Sequence, residues 1–242
     1  MPVCRNKKII FIHIPKNAGE SIEKSLNIYN GGKVENIFGI NNSIVLQHLT
    51  AIQLKNSYFD NSEWNKYFKF AVIRNPWSKV VSEYNWYLRY GPKIQFFEWI
   101  NTLKNRININ NAININEIGH NIEQYKYIYN ENDQLLIDKI IYFENLNSEF
   151  NDLCLDKKWS FKLPKTSDTK SFFNINFQKY YDINSLRIVS DVYQKDINYF
   201  NYSEKKTFQG YDITSKQFII DFDKFLKIKK IKKKKSFFFK FF

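Results

Sequence analysis

Cysteine is scarce in this chain of 242 residues, which contains only Cys4 and Cys154. Two cysteines cannot build a disulfide framework or a four-cysteine zinc site, so the sequence excludes a small disulfide scaffold. Proteins that work in a reducing compartment rarely depend on disulfides. We therefore expect a cytoplasmic protein whose fold is held by a hydrophobic core.

Long hydrophobic runs are also missing. No stretch of eighteen apolar residues occurs, and the opening segment lacks the apolar region and cleavage site of a signal peptide. The composition, with 43% hydrophobic and 25% charged residues, lies outside the ranges typical of disordered or collagen-like chains. These absences predict a soluble globular protein.

Acidic residues are too few to balance the lysines, and the net charge is +13. The last residues from Lys224 onward contribute nine lysines and no acid, whereas residues 1–223 carry 28 basic and 24 acidic side chains. A modestly basic body fits a local site for a small polyanion better than a surface that follows a nucleic-acid duplex. We predict one domain over residues 1–223 and a basic, aromatic tail over residues 224–242. The tail is either simply solvated or a contact for an anionic membrane surface, which would make the protein membrane-peripheral.

The first recognisable unit is a strand, a loop and a helix. The apolar run Ile9–Ile14 predicts a buried parallel strand that Pro15 ends, and residues 16–19 form a turn. Gly19 lets the backbone approach closely, and Ile22 and Leu26 then recur at helical spacing. Backbone N–H groups at such a helix start, together with Lys16, are typical of an anion site, although an ordinary turn with a solvated lysine has the same pattern.

A second unit has the same order. Phe70–Ile73 predicts a strand, Arg74 follows it, and Asn75 and Pro76 are a good N-cap and first residue for a helix that ends at Gly91. Arg74 with the hydroxyls of this helix could hold a second phosphate. A structural carboxylate partner for Arg74 is the alternative.

Further elements complete the fold prediction. Ile137–Phe143 predicts a third strand, and the apolar residues from Tyr180 to Phe200 predict one final amphipathic helix. Alternating strands and helices predict an α/β three-layer sandwich, with a central parallel sheet flanked by helices as in P-loop nucleotide-binding proteins. The sequence has no GxxxxGK[ST] segment, which disfavours an ATPase or GTPase loop.

Five segments of the chain form a recognisable set: FIHIPKNAGES at 11–21, QHLTA at 47–51, FAVIRNPWSKVVSEY at 70–84, IYFENL at 141–146 and VYQKDINYF at 192–200. Together they resemble the motifs of one family, the PAPS-dependent sulfotransferases of the carbohydrate type, where PAPS is 3′-phosphoadenosine 5′-phosphosulfate. The resemblance covers roughly residues 7–203. It implies transfer of a sulfuryl group from PAPS to a hydroxyl acceptor, with a saccharide favoured by analogy.

The resemblance also implies roles for individual residues. Lys16 and the backbone of residues 17–21 would hold the 5′-phosphosulfate, Arg74 and Ser82 would hold the 3′-phosphate, and His48 matches the proposed general base. The residues of the 5′ loop are Asn17, Ala18, Gly19, Glu20 and Ser21. No metal is implied.

Glu20 departs from the family pattern, since it stands where a Thr or Ser is usual and puts a carboxylate beside the anion unless it turns outward. The Asn/Ile-rich stretch 104–118 has no counterpart in the family pattern and is interpreted as a loop or insertion. The sequence favours a hydrogen-bonded structural role for His13, and the same for His120, with the acceptor cleft as the alternative for His120.

A noncatalytic nucleotide-binding or single-strand nucleic-acid-binding module is the competing interpretation. The basic tail and the abundance of aromatic residues favour it. The two anion motifs favour the enzyme, and no specific nucleic-acid partner is expected.

Overall fold

The structure is a computed structural model that describes residues 3–28, 37, 39–41, 44–103, 105, 120–164 and 176–211. Its central sheet has four strands, which are β1 (Val3–Cys4), β2 (Ile9–Ile12), β5 (Phe68–Ile73) and β6 (Lys139–Tyr142). They lie side by side in the order β1-β2-β5-β6. β2, β5 and β6 are parallel, and β1 pairs antiparallel with β2. A separate hairpin joins β3 (Ile40–Asn41) to β4 (Ile44–Val45).

The helices surround this sheet. Their bounds are α1 (Gly19–Ser25), α2 (Ala51–Tyr58), α3 (Asn61–Asn65), α4 (Pro76–Tyr90), α5 (Phe96–Asn101), α6 (Tyr125–Ile128), α7 (Leu146–Asp156), α8 (Ile183–Val192), α9 (Gln194–Tyr199) and α10 (Glu204–Thr207). Single 3₁₀ turns lie at Arg5–Lys7, Leu46–His48, Phe143–Asn145 and Phe177–Tyr180.

Successive residues of each strand point to opposite faces of the sheet, and helices pack on both faces. Ile9 and Phe11 of β2 pack with α1 and α7, whereas Ile10 and Ile12 pack with α2, α3 and α6. A third apolar cluster joins α4, α5 and α8 around Trp77. The predicted three-layer α/β fold is therefore confirmed.

The start of α4 agrees with the sequence prediction in detail. Asn75 accepts a hydrogen bond from the Ser78 N–H at 3.2 Å, and Pro76 is the first helical residue, where its missing N–H costs nothing. The helix ends at Tyr90, directly before Gly91. This helix carries Ser78, Ser82 and Glu83.

Three predicted elements differ from the structure. The first strand of the sequence prediction spans Ile9–Ile14, but β2 covers only Ile9–Ile12. The third strand covers only Lys139–Tyr142, because Phe143 already starts a 3₁₀ turn. The final helix is divided at Tyr193, whose backbone leaves helical geometry at φ −104° and ψ 26°. The Asp196 carboxylate beyond this break accepts the N–H groups of Gln124 and Tyr125, so the bend brings α9 onto α6.

Other predictions lie outside the described residues. They concern the tail 224–242 with the domain boundary at 223 and nearly all of the Asn/Ile-rich stretch 104–118. The membrane contact of the tail stays a prediction. Within the described ranges no helix is long and apolar enough to cross a membrane.

Candidate active site

The loop between β2 and α1 bends sharply. Lys16 and Ala18 both adopt the left-handed backbone region, with φ values of 71° and 62°. Such conformations cost energy in residues other than glycine and persist where contacts hold them. Here Asn17 supplies the contacts: its buried amide donates to the Val72 carbonyl at 2.8 Å and to Gln124 at 2.6 Å. The loop is therefore fixed to the neighbouring strand β5.

Gly19 opens α1 and allows a very close approach. A Cβ atom at this position would lie 1.8 Å from Nε2 of His13, which no side chain can tolerate. The His13 ring lies over the helix start because its Nδ1 pairs with Glu23 at 2.5 Å. The sequence suggested that Gly19 lets the backbone approach a ligand, and the structure shows that it also makes room for His13.

Arg74 follows β5 and joins the two loops. Its NH1 donates to the Lys16 carbonyl at 3.0 Å, and its Nε donates to Ser78 Oγ at 2.9 Å. The guanidinium carbon lies 4.0 Å from the centre of the Phe143 ring, which holds the planar group from one side. Arg74 is thus placed at the same edge of the sheet as the Lys16 loop.

Gln124 ties this edge together from below. Its side chain accepts from the Arg74 N–H and donates to the Arg74 carbonyl, both at 2.8 Å. The backbone N–H of Gln124 donates to the Asp196 carboxylate. Burial raises the pKa of this carboxyl to about 6, although the N–H groups of Gln124 and Tyr125 favour its charged form. A fully buried polar network of this kind leaves the Asn17 and Arg74 backbones little freedom.

Positive charge is concentrated at this edge. Burial lowers the pKa of Lys16 to about 8 and that of Arg74 to about 10, and burial also lowers the pKa of Lys79. Among the described residues, no carboxylate forms an ion pair within 4.0 Å of any of these three cations. Glu83 favours the charged form of Lys16 and Lys79, and Glu144 that of Arg74, but burial outweighs these carboxylates. Desolvated cations of this kind favour the binding of an anion.

The three histidines form a row beside the loop. The ring centres of His13 and His48 are 4.9 Å apart, and those of His48 and His120 are 5.5 Å apart. His48 ends the 3₁₀ turn Leu46–His48 and is largely buried. His48 thus lies next to His13, whose ring covers the start of α1.

The remaining predicted binding residues lie on α1 and α4. Glu20 points outward, is 60% exposed and pairs with Lys24 at 2.5 Å, so its carboxylate is directed away from the loop. Ser21 donates its backbone N–H to the Ala18 carbonyl at 3.0 Å. Ser82 is buried on α4, one turn after Ser78.

Glu144 has a structural role in these contacts. Its carboxylate accepts the Asn75 N–H at 2.8 Å and the Tyr202 hydroxyl at 3.0 Å. It thereby holds the start of α4 against the C-terminal part of the domain.

Two further residues belong to the site that sequence reasoning did not assign to it. Glu83 Oε2 lies 2.7 Å from His120 Nδ1, and the Trp86 ring lies 4.6 Å from the His120 ring. Lys16 extends over the same Trp86 ring, with 5.5 Å between its Nζ and the ring centre. Glu83 lies within the segment 70–84 and Trp86 lies two residues after it. Their position near Lys16 depends on the fold, so no local sequence signal marks them.

This arrangement can bind a ligand that carries two anionic groups beside a histidine. Over the part of the chain that the structure describes, no cluster of three or more His, Cys, Asp or Glu residues could hold a metal ion.

Comparison with known proteins identifies the family. A model of the sulfotransferase family, a PAPS-dependent family, matches residues 1–203. No curated protein and no solved structure gives a significant match to the chain. The family match covers most of the chain and includes both cationic loops and all three histidines, and on that ground this protein belongs to the sulfotransferase family.

Proposed function

We propose that the protein transfers the sulfuryl group of PAPS to a hydroxyl of a saccharide. The observation that carries this proposal is the pair of buried cations, Lys16 and Arg74, which lie at one edge of the sheet with no carboxylate oxygen within 4.0 Å of their nitrogens among the described residues. PAPS carries anionic groups at both its 5′ and 3′ positions. A ligand with two phosphates can therefore satisfy both cations, whereas a mononucleotide satisfies only one.

Lys16 and the loop that follows it would act on the leaving group. As the acceptor oxygen bonds to sulfur, the bond from sulfur to the 5′-phosphate oxygen breaks and negative charge grows on that phosphate. A fixed ammonium group and the N–H groups of Gly19 and Glu20 at the start of α1 would stabilise this charge. The outward position of Glu20 keeps its carboxylate from opposing them.

His48 would accept the proton of the attacking hydroxyl. A neutral imidazole suits proton abstraction near pH 7. The position of His48 beside the loop supports this role, since the attacking oxygen must approach sulfur from the side opposite the leaving phosphate. The saccharide acceptor is supported by the resemblance of the motifs to carbohydrate sulfotransferases.

The donor proposal is tested by calorimetric titration with 3′-phosphoadenosine 5′-phosphate, the desulfated product PAP, and with AMP. We expect PAP to bind much more tightly, because only PAP carries a 3′-phosphate. Transfer of ³⁵S from labelled PAPS to glycans then tests the reaction. Equal affinities for PAP and AMP, or no binding of PAP, would contradict the proposed donor and favour a noncatalytic module.

Replacement of Arg74 by alanine should weaken PAP binding roughly tenfold or more and AMP binding far less. The reason is that the charge-assisted hydrogen bonds lost are those to the 3′-phosphate, which AMP lacks. Calorimetry with both nucleotides on the same variant measures the difference. Because Arg74 also supports the Lys16 carbonyl, a loss of equal size for PAP and AMP would assign Arg74 a loop-supporting role only.

The affinity for PAP should fall as the pH rises above about 8, where Lys16 loses its proton in the free protein. The phosphates of PAP stabilise the charged ammonium, so binding takes up a proton in this range. The ligand itself hardly titrates there, since phosphate pKa values lie near 6. Titrations between pH 7.5 and 9.5 in buffers of different ionisation enthalpy measure the uptake. Lys16→Ala is the control, and proton uptake that persists in this variant would assign the effect to another group.

A further inference from the structure

The pair formed by Glu83 and His120 lies beside the proposed donor site and has no role in the chemistry described so far. Glu83 is on α4, and His120 follows the stretch 106–119, which lies outside the described residues. Both side chains are almost fully buried, and Glu83 Oε2 lies 2.7 Å from Nδ1 of His120. Buried carboxylate–imidazole pairs fix both the orientation and the tautomer of the ring.

His120 is held at this place by more than its ring. Lys79 Nζ donates to the His120 carbonyl at 2.6 Å, and the Tyr193 hydroxyl donates to the Asn121 carbonyl at 2.9 Å. Lys79 and Glu83 are four residues apart on one face of α4. Lys79 bonds to the backbone of His120, and Glu83 bonds to its ring. Both the backbone and the ring of His120 are therefore held in place.

His120 is buried among residues of the candidate site. Its ring lies against Trp86, over which Lys16 extends, and 5.5 Å from the ring of His48. The charged and titratable groups that face it are Glu83 and Lys79 from α4, Lys16 from the loop and His48 from its 3₁₀ turn. His120 is therefore linked through Trp86 to the Lys16 side chain and directly to the ring of His48.

We propose that His120 is a second acceptor-binding residue: Glu83 holds its Nδ1–H, and Nε2 accepts a hydrogen bond from a hydroxyl next to the one that is sulfated. The proposal rests on the proposed function and deepens it, because it names the acceptor as a polyol with two neighbouring hydroxyls. His48 removes the proton of the reacting hydroxyl, and His120 orients the acceptor through its neighbour. Burial lowers the pKa of His120, which agrees with a neutral ring that has one unprotonated nitrogen.

The tautomer of His120 can be measured without donor or acceptor. The chain has three histidines, so ¹⁵N imidazole spectra are assigned with three single variants. We expect a protonated Nδ1 and an unprotonated Nε2 for His120 at pH 7.5. A proton on Nε2 at that pH would overturn the proposal, since this nitrogen could then accept no hydrogen bond.

Kinetics separate acceptor binding from a purely structural role. An asparagine amide can replace Nδ1–H toward Glu83 but removes Nε2, whereas a glutamine amide reaches the Nε2 position instead. With a panel of methyl glycopyranosides as acceptors, His120→Asn should raise the acceptor KM roughly tenfold and leave the melting temperature near that of the wild type. His120→Gln, which loses the Glu83 contact, should melt at a lower temperature.

A deoxy analogue supplies the decisive control. On a methyl glycoside that lacks the neighbouring hydroxyl, wild type and His120→Asn should have the same KM, because the hydrogen bond in question is already missing. An unchanged KM for His120→Asn on the parent glycoside, or an equal loss on both acceptors, would overturn the proposal. Failure of the wild type to bind PAP would instead overturn the proposed function, so the two failures are distinguishable.

Discussion

Replacement of His48 by asparagine is expected to slow single-turnover sulfuryl transfer by roughly a hundredfold or more. The affinity for PAP and the melting temperature should change little, because His48 lies beside the loop and does not form it. The ring is placed between those of His13 and His120, close to the start of α1. Rapid-quench measurement of ³⁵S transfer at saturating PAPS isolates this step from product release.

A purely structural His48 would give the opposite result. Since His48 is largely buried, a histidine that merely packs there would lower the melting temperature on replacement and leave the chemical step intact. A His48→Asn variant that unfolds earlier but transfers at the wild-type rate would remove His48 from the mechanism. Restoration of transfer in His48→Ala by added imidazole would support the role of a base.

Local signals explain how much of this fold the sequence predicts. The apolar runs of β2 and β5 are buried on both faces, and the sequence Asn75-Pro76 marks the start of α4 by its own chemistry. These features depend on neighbours within a few residues. The three-layer architecture and the two loops at the strand ends could therefore be predicted from the chain alone.

Contacts between distant segments explain what the sequence does not predict. Gln124 and Asp196 are 72 residues apart, yet their hydrogen bond holds the site edge and bends the predicted last helix. Glu83 and His120 are 37 residues apart. No periodicity or spacing marks such partners, because the neighbouring residues in the sequence do not show whether a polar side chain is in a buried network or in solvent.

The glycine at position 19 shows the same limit. From sequence, its role is a close approach of the backbone to a ligand, which is typical of anion loops. In the structure, the His13 ring occupies the space that a side chain at position 19 would need. The contact between His13 and Glu23 holds the ring over the start of α1. Only the three-dimensional pairing of His13 with Glu23 shows this second reason for a glycine.

Replacement of Lys16 by alanine should lower kcat by roughly a hundred- to a thousandfold, a loss typical of removing a group that stabilises developing negative charge. The loss of PAP affinity should be much smaller, since Arg74 and the loop backbone still contact the nucleotide and the charge of Lys16 matters most while the leaving phosphate forms. Lys24→Ala is the matched control, because Lys24 lies on α1, is exposed and pairs with Glu20 on the outer side. Steady-state kinetics with calorimetry on both variants measure the difference.

A Lys16→Ala enzyme with wild-type kcat at saturating PAPS would show that this lysine only binds the donor. Equal losses in kcat for Lys16→Ala and Lys24→Ala would instead indicate a general effect of charge on α1.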